Sequence, residues 1–296
     1  MKVLLFGGGG QIGAALRRQL AAQFETVAPT RSEVDLMLPG RAAAAIRTTA
    51  PDVVINAAAW TAVDAAESEP EAARRLNAEA VAEIAAAAAG RWLVQYSTDY
   101  VFDGGKREPY FEDDAANPLS VYGRTKREGE LAVLASGSRG IVLRTSWVHA
   151  PGHRNFATAI LDQATRRAEL RVVDDQLGAP TGAALVASVT GRLLEAIAAG
   201  RPPDPGIYHV AAGGCTNWCE YARYLLARAE EQGIALRCRA ADVRAVSSDE
   251  YPQQARRPRN SRLATAKIEA ALGITLPDWR DGVDATLREM LPEMAA

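Results

Sequence analysis

Short, fully apolar runs alternate with amphipathic stretches through the first half of the chain. Val3-Leu4-Leu5-Phe6 runs into four glycines and reads as a buried strand over 2–6. Residues 11–23 follow with apolar positions at helical spacing. Thr26-Val27-Ala28 predicts a second strand, Val53-Val54-Ile55 a third, 91–97 a fourth and 141–143 a fifth. Residues 71–89 predict a long Ala-rich helix and 119–135 another. Strands separated by helices imply βαβ units, and therefore a parallel sheet with right-handed crossovers. The expected class is α/β, with a doubly wound parallel sheet.

Beyond residue 150 the pattern loosens. Leu170–Val173 reads as a strand, 181–199 as a helix returning to the sheet, 208–211 as extended and 217–232 as helical. The polar stretch 247–262, with two prolines and four arginines, reads as a loop. With no linker and no repeat, the chain divides into a dinucleotide-binding domain over 1–149, joined by 170–200, and a smaller, mainly substrate-binding C-terminal lobe over 150–296.

Composition narrows the function. The 296 residues carry a net charge of −2 from 34 basic and 36 acidic side chains. That balance predicts no nucleic-acid partner and no anionic membrane surface. No apolar run reaches the roughly 18–20 residues of a membrane span, and the apolar start is too short for a signal-peptide core, so a soluble cytoplasmic protein is expected. Three cysteines (Cys215, Cys219, Cys238) cannot build a disulfide framework, and three histidines lack ligand spacing, so no metal site is expected. Arginine outnumbers lysine 30 to 4.

The glycine run carries the first candidate chemistry. Gly7, Gly10 and Gly13 satisfy G-x-x-G-x-x-G between the first strand and first helix, with Gln11 and Ile12 opening that helix. Glycines allow the tight turn and the close approach of a pyrophosphate to backbone, and the helix start offers unpaired N–H groups to the anion. The second strand lacks the acid that usually meets the ribose of NAD. Arg31 follows it instead, which suits the 2′-phosphate of NADPH, with NADH still possible. Asp35-Leu36 would flank the adenine.

Tyr122 and Lys126 form Y-x-x-x-K, one helical turn apart on one face. A free phenol titrates near 10, and an ammonium beside it would favour the phenolate. In a chain that uses arginine for nearly every cation, a lysine here suggests a need for a titratable point charge. Thr98 closes the fourth strand, at the carboxyl edge where doubly wound sheets bind ligands, so it should meet Tyr122 over one site.

Longer blocks narrow the reading further. The segments Asn56 to Pro70 (NAAAWTAVDAAESEP), Ser97 to Gly104 (STDYVFDG), Val121 to Lys126 (VYGRTK), Arg144 to Val148 (RTSWV), Asp174 to Thr181 (DDQLGAPT) and Arg256 to Arg262 (RRPRNSR) occur in that order. With the glycine loop they resemble the dTDP-4-dehydrorhamnose reductase family of the extended short-chain dehydrogenase/reductase superfamily, over most of the chain. The resemblance implies a Rossmann-like sheet and the last step of dTDP-L-rhamnose synthesis: NADPH-dependent reduction at C4 of dTDP-4-dehydro-β-L-rhamnose. It implies Tyr122 as proton donor, Lys126 as the residue that tunes it and binds cofactor, and Thr98 as the group orienting the keto oxygen. It places Gly10-Gln11-Ile12, Asp35-Leu36 and Ala59-Trp60-Thr61 against the cofactor, Thr98, Asp99 and Trp147 against the sugar, and Arg257 near the diphosphate, where Arg256, Arg259 and Arg262 compete.

Departures bear on partners. Trp60 and His149 stand where the family commonly has Tyr or His and Tyr, respectively. Some family members hold Mg²⁺ with carboxylates at a dimer interface. The matching Ala14-Ala15 and Ala183-Ala184 carry no acid, so neither the metal nor that dimer is carried over, and the chain is expected as monomer or homodimer. Three alternatives stay open: a reductase forming the 6-deoxy-L-talose epimer, a C4 epimerase, and a non-catalytic regulatory subunit of the same fold. A dehydratase is disfavoured, because Tyr100 follows Asp99 where those enzymes need a second acid.

Overall fold

The structure, a computed structural model, describes residues 1–251 and 253–294. The alternating half comprises β1 (Lys2–Phe6), α1 (Gln11–Leu20), β2 (Glu25–Val27), α2 (Arg41–Thr49), β3 (Val53–Asn56), α3 (Val63–Ser68), α4 (Pro70–Arg74), α5 (Ala80–Ala87), β4 (Trp92–Thr98), α6 (Val121–Leu134) and β5 (Arg139–Thr145). The second half adds β6 (Val148–His149), α7 (Phe156–Arg166), β7 (Leu170–Val173), β8 (Leu177–Gly178), β9 (Thr181–Gly182), α8 (Ala183–Ala198), β10 (Gly206–His209), β11 (Thr216–Asn217), α9 (Trp218–Glu231), β12 (Val243–Val246), α10 (Ala266–Leu272) and α11 (Trp279–Met294).

Six strands form one parallel sheet in the order β10-β5-β4-β3-β1-β2. Successive side chains of a strand point to opposite faces. Val3, Leu5, Val53, Ile55, Ile141 and Leu143 therefore bury against α1 and α8, while Leu4, Phe6, Val54, Leu93 and Val142 bury against α2, α5 and α6. Both faces being covered explains why these strands read as unbroken apolar runs. β1 lies between β2 and β3, so the topological switch point falls at the carboxyl ends of β1 and β3, where such sheets bind ligands.

A second apolar cluster joins α7, α9 and α11 with β7 and β12, around Leu161, Tyr221, Leu225, Trp279 and Leu287. It stands over the carboxyl edge of the sheet. The chain crosses between the two clusters more than once: α8 and β10 return to the main sheet after β7.

The expected unbroken helix over 71–89 is interrupted. A π-helical turn at Arg75–Glu79 separates α4 from α5, and the inserted residue turns Asn77 inward, a device common at functional sites. Helices α2, α7, α10 and α11 and strand β12 escape the periodicity reading. In α2 only Ala42 and Ile46 are buried, so its run of alanines shows little apolar contrast. α7 carries a missed signal, the capping box of Asn155 with Thr158. Residues 247–262 are a loop apart from a 3-10 turn at Ser248–Glu250, position 252 lying outside the described residues. Among the described residues no helix is long and apolar enough to cross a membrane, and no cluster of acidic, His and Cys side chains is arranged to hold a metal ion.

Candidate active site

The glycine loop closes the cofactor end of the crevice. Gly7 adopts φ +78°, and a Cβ there would stand 2.4 Å from the backbone nitrogen of Ala58. A Cβ on Gly13 would stand 2.0 Å from the Gly7 carbonyl oxygen. These approaches press the turn against the start of α1 and the end of β3. Above Gly9 the space is open, with nothing within 4 Å of a Cβ. Gly10 caps α1 with no side chain bonded to the first-turn N–H groups, and no acid lies in that turn. An uncapped helix start under an open glycine cradle fits a pyrophosphate.

Gly7–Gly10, Arg31, Asp35, Leu36 and Ala59 border a cavity of about 410 Å³. Asp35 accepts from the Met37 N–H at 2.9 Å and pairs with Arg31 at 3.7 Å. The Arg31 side chain is 81% exposed at the border of the cavity. Arg17 borders the same cavity, its side-chain carbons packed over Gly8 and close to where a Cβ there would stand. The sequence reading missed Arg17, although it follows Gly13 by one helical turn. Gly13 and Trp60 border neither this cavity nor the next. Gly13 works beneath the turn. Trp60 contributes backbone: its N–H donates to Asn77 Oδ1 at 2.8 Å, and its carbonyl accepts from Asn77 Nδ2 at 3.1 Å. The π-turn thus clamps the 59–61 segment that follows β3.

Gly10, Ala57 and Ala59 also border a second cavity, of about 490 Å³, which holds Gln11, Ile12, Thr61, Thr98, Asp99, Tyr122, Lys126 and Trp147. The convergence expected of Thr98, Tyr122 and Lys126 is present. Ser120 caps α6 through the Gly123 N–H, and a Cβ on Gly123 would stand 2.2 Å from the Tyr100 carbonyl oxygen. That contact draws the start of the helix onto the end of β4. Burial pushes the Tyr122 phenol up to about 12; contact with the Thr98 side chain pulls it down and the Asp99 charge adds to the rise. Lys126 is buried, donates to the Tyr96 carbonyl at 2.7 Å, and is held by burial down to about 8, with Glu130 opposing. The expected lowering of Tyr122 by the lysine is not found: burial sets the direction, and the phenol keeps its proton at neutral pH.

Thr98 Oγ1 donates to Asp99 Oδ1 at 3.0 Å and accepts from the Tyr100 N–H at 3.1 Å. Burial pushes the Asp99 carboxyl up to about 7, although the Ser261 and Thr98 hydroxyls work against it. Its Oδ2 has no hydrogen bond of good geometry. Burial also pushes His149 down to about 4, so its imidazole is neutral, with Nδ1 3.0 Å from the Thr286 hydroxyl. Beneath Lys126, Glu130 accepts two bonds from Arg144, each 2.8 Å, in a fully buried pair.

Thr61, Val63, Tyr100, Phe156 and Trp218 are shared with a third cavity of about 700 Å³, which Arg167, Arg171 and Arg257 border. Arg257 borders this cavity, and its guanidinium is held by both oxygens of Asp64, at 3.2 and 2.7 Å. The competing Arg256, Arg259 and Arg262 do not border the cavity. Arg167, Arg171, Phe156 and Trp218 line this cavity and are residues that sequence reasoning did not name.

Comparison with known proteins agrees with this geometry. Residues 1–291 match the model of the RmlD substrate binding domain family. The dTDP-4-dehydrorhamnose reductase of Shigella flexneri is 44% identical over 301 residues, covering 100% of each chain. The crystal structure of a dTDP-4-dehydrorhamnose reductase from Clostridium acetobutylicum superposes with a TM-score of 0.89 at 31% identity, over 98% of this chain and 100% of that one. The Bacillus anthracis reductase, solved in complex with NADP, superposes with a TM-score of 0.88 at 28% identity, over 97% and 99% of the two chains. Fold, cradle and full-length similarity agree: the chain belongs to the dTDP-4-dehydrorhamnose reductase family.

Proposed function

We propose that this protein reduces the C4 keto group of dTDP-4-dehydro-β-L-rhamnose to dTDP-L-rhamnose with NADPH, the last step of dTDP-rhamnose biosynthesis. The observation that carries the reading is the convergence of Thr98, Tyr122 and Lys126 on a cavity continuous with the glycine cradle.

NADPH, when bound along the cradle, supplies the hydride that forms the new C–H bond at C4. As that bond forms, the C4=O π pair moves onto oxygen, and Tyr122 gives its phenolic proton to that oxygen. A phenol held at about 12 is fully loaded with its proton before the reaction. The Thr98 hydroxyl orients the keto oxygen from the end of β4. The Lys126 ammonium stabilises the phenolate left behind, which regains its proton from water. Asp99 and Trp147 hold the sugar, the tryptophan face suiting the deoxy-sugar methyl. Arg257, with Arg167 and Arg171, meets the diphosphate in the third cavity. Arg31 recognises the 2′-phosphate.

Every group in this scheme comes from one chain, so the reaction runs in a monomer or in each half of a homodimer. It belongs in the cytoplasm, with its nicotinamide and nucleotide-sugar reactants. The test supplies purified protein with dTDP-4-dehydrorhamnose generated in situ, follows NADPH absorbance and identifies the product by NMR. Oxidation with an L-rhamnose product is expected. A 6-deoxy-L-talose product keeps the chemistry and changes the pathway. No oxidation, with cofactor bound, overturns the reading in favour of a regulatory subunit.

A further inference from the structure

Trp147 is one of two non-glycine residues with positive φ, at +46°, among the described residues. A bulky residue holds that conformation only where its surroundings over-determine it. The Thr181 N–H, 3.2 Å from the Trp147 carbonyl, holds the backbone, and two contacts hold the indole. The Trp218 indole stacks on the Trp147 indole, with ring centroids 3.6 Å apart and planes 12° from parallel. Gly178 packs so closely that a Cβ there would stand 2.4 Å from Cε2 of Trp147. Both contacts come from one ribbon: β8 pairs antiparallel with β11, Thr216 opposite Gly178, and Trp218 follows directly as the first residue of α9. Trp218 is itself fixed, donating from Nε1 to Gln176 Oε1 at 3.2 Å and packing on Phe156 at 4.5 Å. The stack stands where the cavity of Thr98 and Tyr122 meets the third cavity, which Trp218 also borders.

We infer that Trp218 and Gly178 are positioning residues for the sugar, holding the strained Trp147 face against the ring of a deoxy-sugar nucleotide. The inference rests on the reading of the second cavity as the sugar site. Without the stack, the Trp147 indole leaves its place although the Thr181 N–H still holds its carbonyl at 3.2 Å, and the sugar loses its platform, while the nucleotide and the nicotinamide keep their own contacts.

The test uses the full chain as Trp218→Ala, Trp218→Phe and Gly178→Ala. Binding of dTDP-L-rhamnose and of dTDP is measured by calorimetry, NADPH affinity by fluorescence, and the indole stack by its exciton couplet in far-UV circular dichroism. Trp218→Ala should lose the couplet and weaken dTDP-L-rhamnose roughly tenfold, with dTDP and NADPH unchanged. Trp218→Phe keeps a ring on Trp147 and should recover most of the affinity. Gly178→Ala displaces Trp147 without altering Trp218 and should reproduce the sugar-specific loss. Parental dTDP-L-rhamnose affinity in Trp218→Ala after loss of the couplet overturns the inference. Equal weakening of dTDP also overturns it, since Trp218 would then touch the nucleotide itself. The two Trp218 variants decide the matter even if Gly178→Ala fails to fold. A parent chain that binds neither ligand sinks the sugar-site reading and the inference together; a parent that binds both beside unaffected variants sinks the inference alone.

Discussion

The cofactor end of the crevice takes its shape from backbone: Gly13 under Gly7 and the uncapped start of α1 within two turns of chain, and Gly7 pressed against Ala58 just past the end of β3. The substrate end takes its shape from side chains that are far apart along the chain. Trp147 follows β5, Trp218 opens α9, and Arg257 arrives on a late loop that Asp64 ties back. A backbone site tolerates changes to neighbouring side chains but not an added methyl. A side-chain site tolerates small backbone adjustments but depends on each aromatic or guanidinium holding its rotamer.

The largest effect should come where the two ends meet. Tyr122→Phe removes the proposed proton donor and should lower kcat by ~10²–10⁴-fold, with NADPH affinity by fluorescence titration at the parental value. A kcat within about threefold of the parent would assign the proton to another group. Next is the backbone itself. A Cβ on Gly13 would stand 2.0 Å from the Gly7 oxygen, so Gly13→Ala should weaken NADPH by more than about tenfold, because the donors of the turn must shift. Unchanged affinity would show that the cradle is not set by this contact.

The adenosine end sharpens the comparison, because its selectivity rests on side chains added to a backbone site. Arg31→Ala and Arg17→Ala should each weaken NADPH roughly tenfold and spare NADH, as expected for loss of a charge-assisted hydrogen bond to phosphate. Paired titrations with 2′,5′-ADP and ADP check this without turnover, and an equal effect on both ligands would remove the residue from 2′-phosphate recognition.

The smallest effect is in pH dependence. Burial holds Lys126 at about 8 and Tyr122 at about 12. A lysine loses its charge as pH rises through its folded pKa, so kcat/KM should fall above about 8, separately from any change near 7, where Asp99 titrates. The phenol stays protonated throughout that range. Lys126→Arg, which cannot deprotonate there, should abolish the alkaline limb at some cost in rate. A limb that survives the substitution would belong to another group.

Much of the fold and of the site is legible in the order of residues alone. The apolar runs of β1, β3, β4 and β5 announce a sheet covered on both faces. The glycine spacing announces the cradle, and Y-x-x-x-K needs only one helical turn to place its two groups together. These signals are short-range, and local geometry reads directly from spacing. The breaks come where a residue's role is set by distant contacts. Nothing near Asn77 signals a π-turn, which exists because its side chain satisfies both backbone groups of Trp60. The charge of Arg257 suits a diphosphate, but Asp64 reaches it across the fold. Proximity of a lysine suggests a lowered phenol, whereas burial, a property of the whole packed site, raises it. By itself the sequence determined the sheet, the cradle and the meeting of Thr98, Tyr122 and Lys126 in one cavity, because hydrophobic period, glycine freedom and residue chemistry act over one turn or one strand. Only the tertiary structure decided which arginines face the third cavity, how Trp147 is held and how the phenol and lysine titrate, because burial and side-chain convergence depend on segments that meet only when the chain has folded.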